Sequence, residues 1–212
     1  MTDLRIIEIY PSIQGESTRA GLPCTFVRLA GCPLRCRWCD TTYSFTGGDS
    51  MSIEAIIELV AESGIGLVEV TGGEPLAQPG APELLTRLCD HFDEVLLETS
   101  GSFPIADLDP RVAVILDLKA PGSGEEGRNL WDNLPHLKSG DELKIVIADR
   151  TDYEWACDVY QQHQPTVPTL FSPVFGEMEP AQLSQWIIED QLPVRMQLQQ
   201  HKYIWDPQAR RT

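Results

Sequence analysis

An open, partial (β/α)6 barrel of the TIM type is the α/β fold that this chain of 212 residues predicts. Three observations predict it. Apolar, β-branched runs alternate with amphipathic helical patterns, which implies parallel strands with helices outside. About six strands are too few to close an eight-stranded barrel. Glycine-rich and polar motifs fall at the ends of the runs, where ligands gather in such sheets.

Strand-like runs occupy 25–30, 67–71, 95–99, 112–118, 143–148 and 169–174, with a further short run at 194–198. Between them, Ile53, Ile56, Ile57 and Val60 fall on one helical face, with Ser52 as N-cap and Gly64 as stop. Leu84, Leu85, Leu88 and Phe92 repeat the pattern behind Pro82, and Leu183, Trp186 and Ile187 do so behind Pro180. These stripes face a core and carry no function. Two stretches, 6–23 and the Gly/Pro-rich 120–128, break the alternation. No repeat or linker divides the chain, so a single domain over 1–212 is expected, with a substrate and cluster segment at 1–45 and a tail at 199–212.

Charge is lopsided: 16 basic against 32 acidic residues, a net of −16. Binding to nucleic acid or an anionic membrane needs a basic footprint, and no Lys/Arg cluster supplies one. Arg210-Arg211 is too short to count. A small substrate is expected, with any anionic group on it met by a few local cations. The N-terminal MTDLRIIEIY is not a signal peptide, and no run approaches the roughly 20 apolar residues of a membrane span. Clustered thiols imply a reducing compartment, so a soluble cytoplasmic protein is expected.

The chemistry begins at Cys32, Cys36 and Cys39, spaced C-x3-C-x2-C on one loop directly after the first predicted barrel strand. Three thiolates can hold three irons of a 4Fe–4S cubane, whereas full protein ligation normally takes four. Cys24, Cys89 and Cys157 are scattered singly, so one iron would stay open to a small molecule. Structural zinc needs four Cys or His ligands, and no second pair accompanies the triad. Trp38 between the last two cysteines favours a shielded cluster. Farther on, the 67–71 run passes into Gly72-Gly73-Glu74-Pro75, where glycines permit close backbone approach.

The triad followed by this glycine-rich strand end resembles the radical S-adenosylmethionine (SAM) enzymes, in which the amine and carboxylate of SAM fill the open iron. The resemblance narrows at Ile13-Gln14-Gly15-Glu16, 26–32 (FVRLAGC) and Cys39-Asp40-Thr41. Glu98-Thr99-Ser100-Gly101, Asp117-Leu118-Lys119, 172–176 (SPVFG) and 200–203 (QHKY) extend it along the chain. Together these resemble the 7-carboxy-7-deazaguanine synthase family. That likeness implies conversion of 6-carboxy-5,6,7,8-tetrahydropterin to 7-carboxy-7-deazaguanine and ammonia, on the route to queuosine and related 7-deazapurines. It also implies catalytic SAM, Mg²⁺, a reducing partner such as flavodoxin or ferredoxin, and a homodimer.

Residue roles follow from the resemblance and from side-chain chemistry. Cys32, Cys36 and Cys39 would ligate the cluster, and Thr41 the Mg²⁺, which takes oxygen ligands and few protein atoms. SAM would lie against Trp38, Asp40, Gly73, Glu74, Ser100, Asp117, Lys119, Ser172 and Pro173. Relatives carry Ser-Pro-Lys where this chain has Asp117-Leu118-Lys119, so its lysine keeps the match to the SAM carboxylate. Substrate would meet Ile13, Gln14, Gly15, Glu16, Arg28, Thr71 and His201. Gln14 can read an amide edge, Glu16 can accept ring N–H groups, and Arg28 can clamp a carboxylate. Two other readings share the triad: an activase that installs a glycyl radical on a partner protein, and a non-catalytic zinc or cluster module.

Overall fold

The computed structural model describes residues 3–211. Its strands are β1 (Leu4–Ile13), β2 (Pro23–Leu29), β3 (Asp49–Met51), β4 (Leu67–Gly72), β5 (Glu94–Thr99), β6 (Ala113–Leu118), β7 (Glu142–Ile147), β8 (Thr169–Pro173) and β9 (Arg195–Met196). Helices are α1 (Ile53–Ala61), α2 (Ala81–Cys89), α3 (Arg150–His163), α4 (Pro180–Glu189) and α5 (His201–Ile204). All nine strands form one sheet in the order β3-β1-β2-β4-β5-β6-β7-β8-β9. Pairing is parallel from β2 through β9 and antiparallel for β1 with β2 and β3. The sheet does not close, as the open partial barrel requires.

The six predicted barrel strands are β2 and β4–β8, and the short run at 194–198 shrinks to the two-residue β9. Ser52 caps α1 by accepting from the Ala55 amide, and Gly64 takes a left-handed φ of 68° just past the helix end. Elsewhere the alternation is incomplete. The β5–β6 crossover has no α-helix, and the β6–β7 crossover has only short 3-10 turns.

Residues 6–23 are strand β1 and a hairpin loop rather than a break. Leu4, Ile6, Glu8 and Tyr10 are the buried positions of β1. The period of two is present, but Glu8 interrupts its apolar character because Arg28 pairs with it. Helix α3 buries Tyr153, Ala156 and Val159 in the main core, but its inner face begins with a buried carboxylate, Asp152.

Side chains leave the parallel strands in two directions, as strand geometry dictates. Outward residues such as Val27, Val70, Leu97 and Leu116 pack beneath α1–α4 in the main core. Inward, Phe26, Leu96, Ala113 and Ile115 join Tyr10, Cys24 and Leu67 in a smaller apolar cluster. The 14–22 loop crosses the N-terminal ends of the strands. Arg19 pairs there with Glu94 and Glu142, the first residues of β5 and β7, at 2.7 and 2.6 Å. Residues 197–200 close the open side, with Ser17 N–H donating to Gln197 Oε1 at 2.8 Å and Gln200 N–H to the Gly15 carbonyl at 2.9 Å.

Candidate active site

A cavity of about 240 Å³ occupies the barrel interior. Cys32, Cys36 and Cys39 line it at the C-terminal ends of the strands, and Gln14, Gly15 and Glu16 at the floor. Arg28, Thr71, Glu98, Asp117 and Lys144 stand between, and His201 and Lys202 border the open side.

The cysteine loop is held by backbone contacts on two sides. Gly31 N–H donates to the Ser44 carbonyl at 2.7 Å, and its own carbonyl accepts from Glu74 N–H at 2.8 Å. A Cβ at Gly73 would collide with that carbonyl and with Cys32 Cβ, and one at Gly72 with the Leu29 backbone. Gly72 and Gly73 thus let strand end and cysteine loop touch. On the other side, Arg37 donates from its backbone to the Ser123 carbonyl at 3.0 Å and from Nε to the Gly122 carbonyl at 3.1 Å. Arg35 N–H donates to Glu125 at 2.5 Å. The 120–128 stretch that broke the sequence pattern is therefore the clasp of this loop. Asp152 on α3 anchors it by accepting from Gly122 N–H at 2.7 Å.

All three thiols are free and partly exposed. Burial pushes the Cys36 thiol up to about 11, partly offset by Lys119, and raises Cys32 likewise. Metal binding must therefore displace protons from them. Among the described residues no three His, Cys, Asp or Glu side chains converge on one metal ion. Three soft donors on one loop, all lining one cavity, fit a cubane with one iron left to an exogenous ligand.

Of the residues expected around SAM, Trp38, Asp40, Gly73, Ser100, Asp117 and Lys119 line the cavity. Glu74 does not. Its carboxylate is fully buried and accepts from Leu76 N–H, Thr99 Oγ1, Ser100 N–H and Ser100 Oγ at 2.9, 2.9, 2.8 and 2.6 Å. It fixes the ends of β4 and β5 relative to one another. Ser172 and Pro173 lie buried behind the wall, and Val174 and Phe175 line the cavity in their place. Lys119 pairs with Asp117 at 3.1 Å. Burial opposes its charge, yet Asp117 and Cys36 override that and raise its pKa.

Of the residues expected around substrate, Ile13, Gln14, Gly15, Glu16, Arg28, Thr71 and His201 all line the cavity. Several are already engaged. The Gln14 amide is buried, taking Glu16 N–H on Oε1 at 3.0 Å and giving Nε2–H to Glu69, so both ends are committed inside the protein. The Gly15 carbonyl is taken by Gln200. Arg28 is held by Glu8 at 2.9 Å and by Tyr10 at 3.0 Å. Thr41 Oγ1 lies 3.8 Å from Cys39 Sγ, and its carbonyl is occupied by Ser44.

Sequence reasoning missed the charged interior. Lys144, about 3% exposed, contacts Glu98, Glu16 at 2.8 Å and Asp117 at 3.3 Å. Burial works against ionisation of Glu16, and the Lys144 ammonium, aided by His201, overrides it and holds that carboxyl low. Glu69 completes the set on β4. The available signal was a charged residue inside an otherwise apolar strand: Glu69 in 67–72, Glu98 in 94–99 and Lys144 in 142–147. Such residues in a covered parallel strand are rarely buried without a purpose.

With this geometry in view, the chain matches the Radical SAM superfamily over residues 26–119, from β2 to the end of β6. The fold is similar to QueE from Escherichia coli, with a TM-score of 0.76, 22% identity, and 94% and 95% of the two chains covered. Among curated relatives, 7-carboxy-7-deazaguanine synthase of Koribacter versatilis is 43% identical, covering 98% of this chain and 99% of the relative. The protein of that name from Chlorobaculum tepidum is 50% identical, over 98% and 96%. Likeness of that degree over whole chains, with the cysteine triad and barrel of the superfamily, means that the chain belongs to the 7-carboxy-7-deazaguanine synthase family of radical SAM enzymes.

Proposed function

We propose that this protein converts 6-carboxy-5,6,7,8-tetrahydropterin to 7-carboxy-7-deazaguanine with release of ammonia, in 7-deazapurine biosynthesis. The observation that carries this reading is one cavity joining three clustered thiols to Arg28 and, at its floor, Glu16. When bound, the cluster and SAM supply the electron and the radical chemistry that the protein itself lacks.

Cys32, Cys36 and Cys39 hold the cluster. SAM lies along Trp38, Asp40, the Gly73 backbone, Ser100 and the Asp117–Lys119 pair. Glu16 accepts ring N–H groups of the pterin, beside the backbone of Ile13 and Gly15. Arg28 meets the substrate carboxylate, its guanidinium already aligned by Glu8 and Tyr10. Such prior alignment lowers the ordering cost of binding. Thr71 borders the same space, and His201 closes it from the tail. Thr41 Oγ1 would be the protein oxygen that holds Mg²⁺, an ion that takes oxygen ligands and needs few protein atoms. The whole chain acts as one domain, and the enzyme works as a homodimer fed by a small redox protein. Thiols reserved for a cluster suit the cytoplasm.

The test is anaerobic turnover of reconstituted protein with reductant, SAM, Mg²⁺ and 6-carboxytetrahydropterin, followed by mass spectrometry. Formation of 7-carboxy-7-deazaguanine is expected. SAM cleavage without that product would refute the substrate assignment.

A further inference from the structure

Among the described residues, Glu69 is the cavity-lining carboxylate that forms no ion pair. It sits on β4, about 2% exposed, one inward position below Thr71. Lys144 is shared among Glu16, Glu98 and Asp117, and the Arg28 guanidinium is taken by Glu8 and Tyr10. Oε2 of Glu69 accepts the Gln14 amide. Among the described residues, Oε1 has no protein partner. Among the described residues, the unpartnered side-chain atoms sealed from solvent are Asp117 Oδ1, Thr169 Oγ1 and Ser172 Oγ, so Glu69 Oε1 opens into the cavity.

A carboxylate so placed, among three others and beside one lysine, is costly to ionise, and the inexpensive state is the neutral acid. Burial first, then the Glu98 and Glu16 carboxylates, push its pKa well up, against the pull of Lys144 and Arg28. The neighbouring Tyr10 phenol is also raised by burial and stays neutral. A neutral carboxyl differs in kind from the rest of the floor. Ionised Glu16 can only accept, whereas Glu69 with its proton on Oε1 donates.

We propose that Glu69 is a specificity residue, donating through Oε1 to the 4-oxo group of the bound heterocycle beside the ring N–H groups that Glu16 accepts. This rests on the pterin reading above. A 2-amino-4-oxo ring offers N–H donors next to a carbonyl acceptor. A carboxylate next to a carboxylic acid answers both, and a 4-amino ring would set donor against donor. A site built to hydrogen-bond one edge rejects the mismatched analogue strongly, because its own polar group is left unpaired.

The experiment measures binding to reconstituted holoenzyme with SAM and no reductant, so that nothing turns over. The ligands are 6-carboxytetrahydropterin and its 2,4-diamino analogue, titrated into wild type, E69Q and E69L. Glutamine reproduces the neutral acid, accepting from Gln14 and donating to the carbonyl. E69Q is therefore expected to bind the 4-oxo ligand nearly as wild type does. E69L should bind it about 10- to 100-fold more weakly, the loss that follows one unmet buried hydrogen bond, and should lose discrimination against the diamino analogue. Infrared spectroscopy of wild type at pH 7.5 should show a neutral carboxyl stretch that E69Q lacks; that readout stands even if E69L fails to fold. E69Q as defective as E69L, unchanged discrimination in E69L, or no neutral carboxyl band would each overturn the assignment while leaving the pterin reading intact. Failure of wild type to bind the pterin at all would overturn both.

Discussion

Lys202 on α5 reaches across the open side of the barrel to Asp40, with Nζ 2.7 Å from the carboxylate, one residue after the third cysteine. The tail is thereby tied to the cysteine loop. Tyr203 packs edge-on against Phe175, and Arg210 lies over Tyr43 with 4.1 Å to the ring centroid, so the tie is one of several. The Asp40 side chain is 45% exposed, and a pair of that kind contributes below about 1 kcal/mol. Lys202→Ala should leave global stability almost unchanged yet speed amide exchange over 200–205, read by hydrogen-exchange mass spectrometry. Unaltered exchange there would mean that the ring contacts alone hold the tail.

Glu74 is a stability residue in a motif whose position suggests ligand binding. Four donors converge on its buried carboxylate. Glu74→Ala strands them, and hydrogen bonds to a charged group contribute about 1.5–3 kcal/mol each. Denaturant unfolding should show a loss of about 3 kcal/mol or more. A variant of wild-type stability with impaired SAM binding would instead place the carboxylate at the ligand.

The motifs at strand ends were legible because each is contiguous: three cysteines in eight residues, and Gly72-Gly73 directly after β4. The barrel strands were legible because both of their faces are covered and they read as apolar runs. Strand β1 and helix α3 were not, because each buries a carboxylate, Glu8 and Asp152, whose partner lies far away in sequence. The interior charges were hidden for a related reason. Glu69, Glu98, Asp117 and Lys144 come one from each of four adjacent strands, and only the sheet brings them together. The Gln14 side chain was legible as a polar loop residue, but not its inward commitment to Glu69.

Lys144 holds that interior together, and its loss should steepen the rise of stability toward acid pH. In wild type, the lowered pKa of Glu16 contributes stability that is present above its unfolded value, about 4.3, and is lost as pH falls through the folded value. Lys144 itself is raised, since its three carboxylates outweigh burial; its contribution is full below about 10.4 and fades only in stronger alkali. Lys144→Met removes the cation and leaves Glu16 buried with its carboxylate uncompensated. Breaking such a set costs about 3–5 kcal/mol at neutral pH. Glu16 should then titrate above its unfolded value, so the variant gains stability more steeply than wild type as pH falls from 7 toward 5; the raised Glu69 gives both a slope of that sign, and Glu16 adds to it only in the variant. Urea unfolding at both pH values measures the two slopes, and parallel slopes would rule out the coupling.

Gly73 gives the sharpest separation of fold from cofactor loading. A Cβ there meets the Gly31 carbonyl and Cys32 Cβ, both on the cysteine loop, and neither is the far end of a flexible side chain. The loop must therefore move, because the β4 end is pinned to the end of β5 by the Glu74 carboxylate, which accepts from Thr99 and Ser100. Overpacking of this kind costs about 1–3 kcal/mol, which a chain of this size tolerates. The displaced Cys32 would no longer meet its iron in register with Cys36 and Cys39. Gly73→Ala should fold, with near-wild-type far-ultraviolet dichroism, but reconstitute with markedly less iron and sulfide per chain. Full cluster content in that variant would show that the loop adapts, and that the glycine is needed only for what lies against its backbone.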